Sequence, residues 1–111
     1  MGNILATYGD YRIEQIIGDA AEVARSISWF LGRRDVYNEL GYPIFVEERK
    51  TFYLIAINNI PIGISATMVN GDKLILCNTF IEKAHRNKGI YNFVFDLRIN
   101  RYPDAKIITG V

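Results

Sequence analysis

The hydrophobic positions along this chain change period twice, and the changes mark its elements. Over residues 11–17 apolar and polar positions partly alternate, as on a half-buried strand, and Gly18 ends the run. Asp19, followed three residues later by Glu22, has the form of a helix N-cap with a capping-box partner. Behind it Val23, Ile27, Phe30 and Leu31 fall on one helical face. Gly32 supplies a stop, with Arg33 and Arg34 near a C-terminus where positive charge suits the helix dipole. The spacing predicts a second short helix over residues 35–40, closed by Gly41 and Pro43. With Trp29, Tyr37 and Tyr42 nearby, this segment is either a lid or a covering loop.

From Thr51 the period shortens to that of strands. Residues 52–58 are rich in aromatic and β-branched side chains. Asn58-Asn59-Ile60-Pro61 turns the chain, residues 62–69 return, and Asn70-Gly71 is a strong hairpin signal because both positions tolerate positive φ. Residues 73–81 complete a meander. A helical period resumes over residues 90–101, with Ile90, Phe93, Val94 and Leu97 on one face, and Tyr102-Pro103-Asp104 breaks it. Residues 105–111 read as a last strand, parallel to 73–81 because a helix connects the two. The predicted order is β-α-α-β-β-β-α-β, an α/β (α+β) domain on a mixed, mostly antiparallel sheet flanked by helices.

Composition narrows the picture. The 111 residues form one domain, 1–111, half hydrophobic and 13% aromatic, so a folded core is expected rather than disorder. A net charge of +1 argues against a nucleic-acid protein that binds by bulk electrostatics. The single cysteine, Cys77, precludes an internal disulfide and lies in a predicted strand, as a buried, inert thiol would. No apolar run is long enough to span a membrane, and a cytoplasmic protein is expected. No His/Cys cluster has metal-ligand spacing.

Chemistry concentrates between Ile81 and Tyr91. A strand leads into a basic, glycine-bearing turn, and a helix leads out. The unpaired N–H groups of a helix's first turn favour an anion, Gly89 permits close approach to the backbone, and Arg86 and Lys88 add positive charge. From Tyr11 onward the chain resembles the GCN5-related N-acetyltransferase (GNAT) family. The family signature is Arg or Gln, two residues, Gly, one residue, then Gly or Ala. Here it reads Arg86-Asn87-Lys88-Gly89-Ile90-Tyr91, with Ile81 as the apolar residue five before the arginine. Tyr91 replaces the final small residue, and Lys83 stands where proline is often found.

The resemblance implies that backbone N–H groups of Asn87, Lys88, Gly89, Ile90 and Tyr91 hold the pyrophosphate of acetyl-CoA. It also implies that backbone atoms of Thr79 and Ile81 pair with the pantetheine arm where two strands splay apart. Family members continue with a further helix and two strands, which this chain lacks. The final strand then has an uncovered edge: either a partner chain covers it, as in a homo-oligomer, or the chain is a fragment or a shortened relative.

Acetyl transfer to a primary amine needs orientation and a route for the amine proton. Glu82 and His85 are the candidate acid–base groups. Each is weighed against a plain surface role: Glu82 as a solvated loop carboxylate, His85 as a loop histidine. Of Asn78 and Thr79, strand alternation lets only one face the cleft. The amine substrate is small-molecule or protein. The alternative to an enzyme is a non-catalytic, shortened relative acting through protein contacts, as in small accessory proteins of phages and mobile elements.

Overall fold

The computed structural model describes residues 2–110. Six strands form one sheet: β1 (Gly2–Tyr8), β2 (Tyr11–Ile16), β3 (Lys50–Ile57), β4 (Ile60–Asn70), β5 (Lys73–Ile81) and β6 (Ile107–Gly110). Their order across the sheet is their order in the chain. All pairings are antiparallel except β5 with β6, which is parallel, as the strand–helix–strand connection requires. The helices are α1 (Ala20–Ser26), α2 (Arg34–Leu40) and α3 (Ile90–Asn100), with a 3-10 turn at Lys83–His85. None is long and apolar enough to cross a membrane.

Turn chemistry sets the meander. Asn58 and Asn59 both adopt positive φ, at 51° and 64°, and Gly71 lies at 63°, so both hairpins turn through residues that tolerate the left-handed region. The central strand β3 is buried on both faces. Phe52 joins Ile16, Ile27, Phe30, Val36 and Phe80 beneath α1 and α2. Its neighbour Tyr53 joins Ile13, Ile55, Ile62, Ile90 and Val94 beneath α3.

Three features depart from the sequence expectation. An additional N-terminal strand, β1, pairs with β2, giving the order β-β-α-α-β-β-β-α-β. Its alternation is broken by a register shift between Ile4 and Ala6, which hides the strand from a period-two search. The first helix ends at Ser26 rather than at Gly32. The capping box of Asp19 and Glu22 forms as expected. Beyond Ser26, whose hydroxyl bonds back to the Glu22 carbonyl, the chain continues in i→i+3 turns such as Phe30 N–H to Ile27 O. Ile27 and Phe30 are buried nonetheless. The final strand begins at Ile107 rather than at Ala105, and Val111 lies outside the described residues.

Candidate functional site

Two arginines approach one ring at the end of β5. The Arg33 and Arg86 guanidinium carbons lie 5.6 and 5.4 Å from the Phe80 ring centroid. Arg33 makes a forked pair with Glu82 at 2.6 and 2.9 Å, and Trp29 Nε1 donates to the same carboxylate at 3.1 Å. Hydrogen bonding from Arg33 holds the Glu82 carboxyl below its ordinary range. Glu82 is therefore neither a freely solvated carboxylate nor a poised base. It ties the segment between α1 and α2 to the end of β5. Trp29 itself is 59% exposed, so this segment covers the sheet while presenting an aromatic surface.

Arg86 makes the second tie. Its Nε donates to the Ile81 carbonyl at 2.7 Å, and its Nη2 bonds both oxygens of Glu39 on α2, at 2.8 and 2.6 Å. The guanidinium of the motif is thus committed within the protein, while Asn87 and Lys88 are exposed in the turn.

The backbone of the turn is shaped for an anion. Asn87 and Gly89 adopt φ of 62° and 86°, on either side of Lys88. Gly89 caps α3 with no side chain bonding the first-turn amides, and that turn holds no acidic residue. Successive amides in such a bend form a concave donor set at the positive end of the helix dipole. Tyr8 on β1 supports the turn from behind, its hydroxyl donating to the Lys88 carbonyl at 3.0 Å. The Tyr91 ring stacks on Phe95, 6.4 Å between centroids and 19° between planes, so it leans along α3.

A cleft of about 400 Å³ opens at this turn, lined by Thr79, Ile81, His85, Asn87, Gly89 and Tyr91 among others. A second, of about 360 Å³, adjoins it between β5, β6 and α3. Both have Glu39, Thr79 and Tyr91 in their walls, so together they make one groove. Along it the β5–β6 ladder runs from Lys73↔Ile107 to Leu76↔Gly110. Beyond Leu76 two side chains come to the β5 backbone: the Tyr42 hydroxyl accepts from Asn78 N–H at 3.0 Å, and Arg86 takes the Ile81 carbonyl. Thr79 lies between these two points. It lines both clefts, its hydroxyl 2.9 Å from that of Ser65, while Asn78 is fully buried at φ 54°.

Of the candidate residues, the structure brings Thr79, Ile81, His85, Arg86, Asn87, Gly89, Ile90 and Tyr91 to one cleft. Lys88 is exposed in the same turn, and Glu82 faces the opposite clamp. The His85 Nδ1 lies 2.8 Å from the Tyr11 hydroxyl, and the two rings meet edge to face. On the other side of the sheet a cleft of about 350 Å³ is lined by Phe30, Arg34, Val36, Tyr37, Tyr42 and Ile44, with others. Arg98, like Glu39 and Tyr8, escapes the sequence reading. Arg98 is 1% exposed and lines the inner part of the groove. It stands four residues after Val94 and eight after Ile90, the other two buried positions of α3, and that spacing is the signal that could have found it.

The structure is thus an α+β domain with an uncapped helix start at the turn and a short parallel strand pair beside it. The comparison with solved structures sharpens this: the chain has the fold of the GCN5-related N-acetyltransferases. A GNAT family acetyltransferase from Streptococcus pneumoniae superposes with a TM-score of 0.64 at 9% identity, over 91% of this chain and 74% of that one. A predicted acetyltransferase from Clostridium acetobutylicum, solved with acetyl-CoA, gives 0.60 at 16%, over 100% and 80%. A Bacillus subtilis acetyltransferase in complex with CoA gives 0.57 at 16%, over 88% and 62%. No protein-family model and no curated protein matches the sequence.

Proposed function

We propose that this protein is an acyl-CoA-dependent N-acyltransferase, moving an acetyl or related acyl group from CoA to a primary amine. The observation that carries the reading is the uncapped, acid-free start of α3 behind left-handed Asn87 and Gly89, opening into a groove along β5. The amides of residues 87–91 would hold the pyrophosphate, and backbone at Thr79 would pair with the pantetheine arm. The Ile81 carbonyl is already taken by Arg86, so the arm's pairing falls on Thr79.

CoA supplies the activated thioester, and the protein supplies position. The groove orients the carbonyl while the amine approaches from the α1–α2 side, where Tyr42 joins the outer cleft to Asn78. With Glu82 locked to Arg33, His85 is the group placed to accept the amine proton, directly or through water. A second reading has its own support: both acid–base candidates are engaged with protein partners, Glu82 with Arg33 and His85 with Tyr11. That is the condition expected of a relative that keeps the CoA groove and works through protein contacts, as a homo-oligomer or with another chain.

The deciding experiment is a thermal shift with acetyl-CoA and desulfo-CoA against inorganic phosphate, because a ligand that binds the native state raises its stability by mass action. A rise with the CoA compounds alone supports the groove. No rise with either removes the acyl-CoA reading. Thiol release in the presence of an amine panel then separates enzyme from non-catalytic relative.

A further inference from the structure

Arg98 is a buried cation without an anion. Its Nη1 donates to the Ala66 carbonyl at 3.1 Å, next to the register shift between β4 and β5. Its Nε is buried with no hydrogen-bond partner. Among the described residues no carboxylate pairs with it, and the titratable groups that influence it are Tyr91, Cys77 and Tyr53. A buried guanidinium is costly unless an anion and further hydrogen bonds compensate it. One bond to a backbone carbonyl leaves the charge without an anion and Nε without a partner.

Its place in the groove says what could meet it. From Ile90, at the anion cradle, α3 advances eight residues to Arg98, roughly 12 Å along the helix axis. The intervening wall includes Leu76, Thr79, Phe95 and Ile108. A donor laid from the cradle along β5 therefore carries its acyl end towards a slot of mixed polar and apolar lining, closed by a cation. Glu39, the acid on the same wall, is already paired with Arg86.

Building on the acyl-CoA reading, we infer that the preferred donor is the CoA thioester of a short dicarboxylic acid, its free carboxylate seated on Arg98. The bonds exchanged are those of any N-acylation. The amine nitrogen bonds to the thioester carbonyl carbon, the C–S bond breaks, and CoA leaves as thiolate. The proton released by the amine balances that thiolate. The distal carboxylate does not react and sets which acyl group is accepted.

The test is isothermal titration of the protein with succinyl-CoA, with butyryl-CoA (equal in length, without the carboxylate) and with CoA. Succinyl-CoA is expected to bind at least tenfold more tightly than butyryl-CoA, and Arg98→Met is expected to remove the preference. Equal affinity of the two thioesters in the unaltered protein overturns the inference while leaving the groove assignment intact. Because that comparison needs no variant, a misfolded Arg98→Met does not weaken it. Failure of all three compounds to bind overturns the acyl-CoA reading, and the inference with it.

Discussion

The hydroxyl of Tyr8 occupies the space a side chain at position 89 would need: a Cβ built on Gly89 collides with it. Gly89 also sits at φ 86°, where other residues are strained. Gly89→Ala should cost about 2 kcal/mol or more in urea denaturation. Tyr8→Phe removes the obstructing oxygen, so the double variant should be less destabilised than the sum of the two singles, by about 1 kcal/mol. Strict additivity would show that the contact does not govern the turn. Gly89→Glu adds a negative charge to the turn as well, and its CoA affinity should fall at least tenfold below that of Gly89→Ala.

Glu82 gives a pH-dependent prediction. The unfolded carboxyl titrates near 4.5, and Arg33 holds the folded one lower. The contribution of the pair is therefore complete above the unfolded value and is lost as pH falls through the folded one. Glu82→Gln should cost about 1 kcal/mol at pH 7, the scale of a charged hydrogen bond discounted for partial exposure. The difference in Tm between the two proteins should close below pH 4.5. A gap that persists in acid would mean that shape, not charge, makes the tie.

Glu39 pairs with the motif arginine and puts negative charge in the groove wall. Glu39→Gln should free Arg86 for the pyrophosphate and tighten CoA binding several-fold, with a steeper loss of affinity as salt rises. Titration at two salt concentrations measures both. Weaker binding would show that the Glu39 pair holds the turn in shape.

Cys77 is 5% exposed, and burial pushes its thiol above the ordinary range. Iodoacetamide should leave the native protein unmodified at pH 8 and label it fully in urea. Rapid native labelling, followed by mass spectrometry, would show that the β4–β5 bulge opens readily.

What the sequence made legible was what depends on neighbours in the chain. Asn58-Asn59 and Asn70-Gly71 encode their own turns, and the bounds of β5 follow directly from the run Lys73–Ile81. Asp19 and Glu22 cap α1 from within one turn. The candidate site's outline was legible for the same reason: Arg86 to Tyr91 is a contiguous run whose backbone forms the turn before α3. The ion pairs were not. Arg33 reaches Glu82 across 49 positions and Arg86 reaches Glu39 across 47, so neither partnership leaves a local mark. Glu82 consequently read as a loop carboxylate or a base, when its partner makes it a brace. Arg98 escaped because a charged residue on a helix reads as surface, although its spacing from Val94 placed it inside.

The sheet's spatial order, identical to its chain order, bears on how the molecule assembles. Every strand pairs with a sequence neighbour, so the hairpins of the meander close short loops and need little long-range search. Two joints must wait for longer connections: β2 with β3, across α1 and α2, and the one parallel pair, β5 with β6, which requires α3 to form and dock first. The groove lies at the parallel joint. It is thus among the last parts of the native structure to be completed, and the amides of β6 are expected to exchange with solvent sooner than those of β3 and β4.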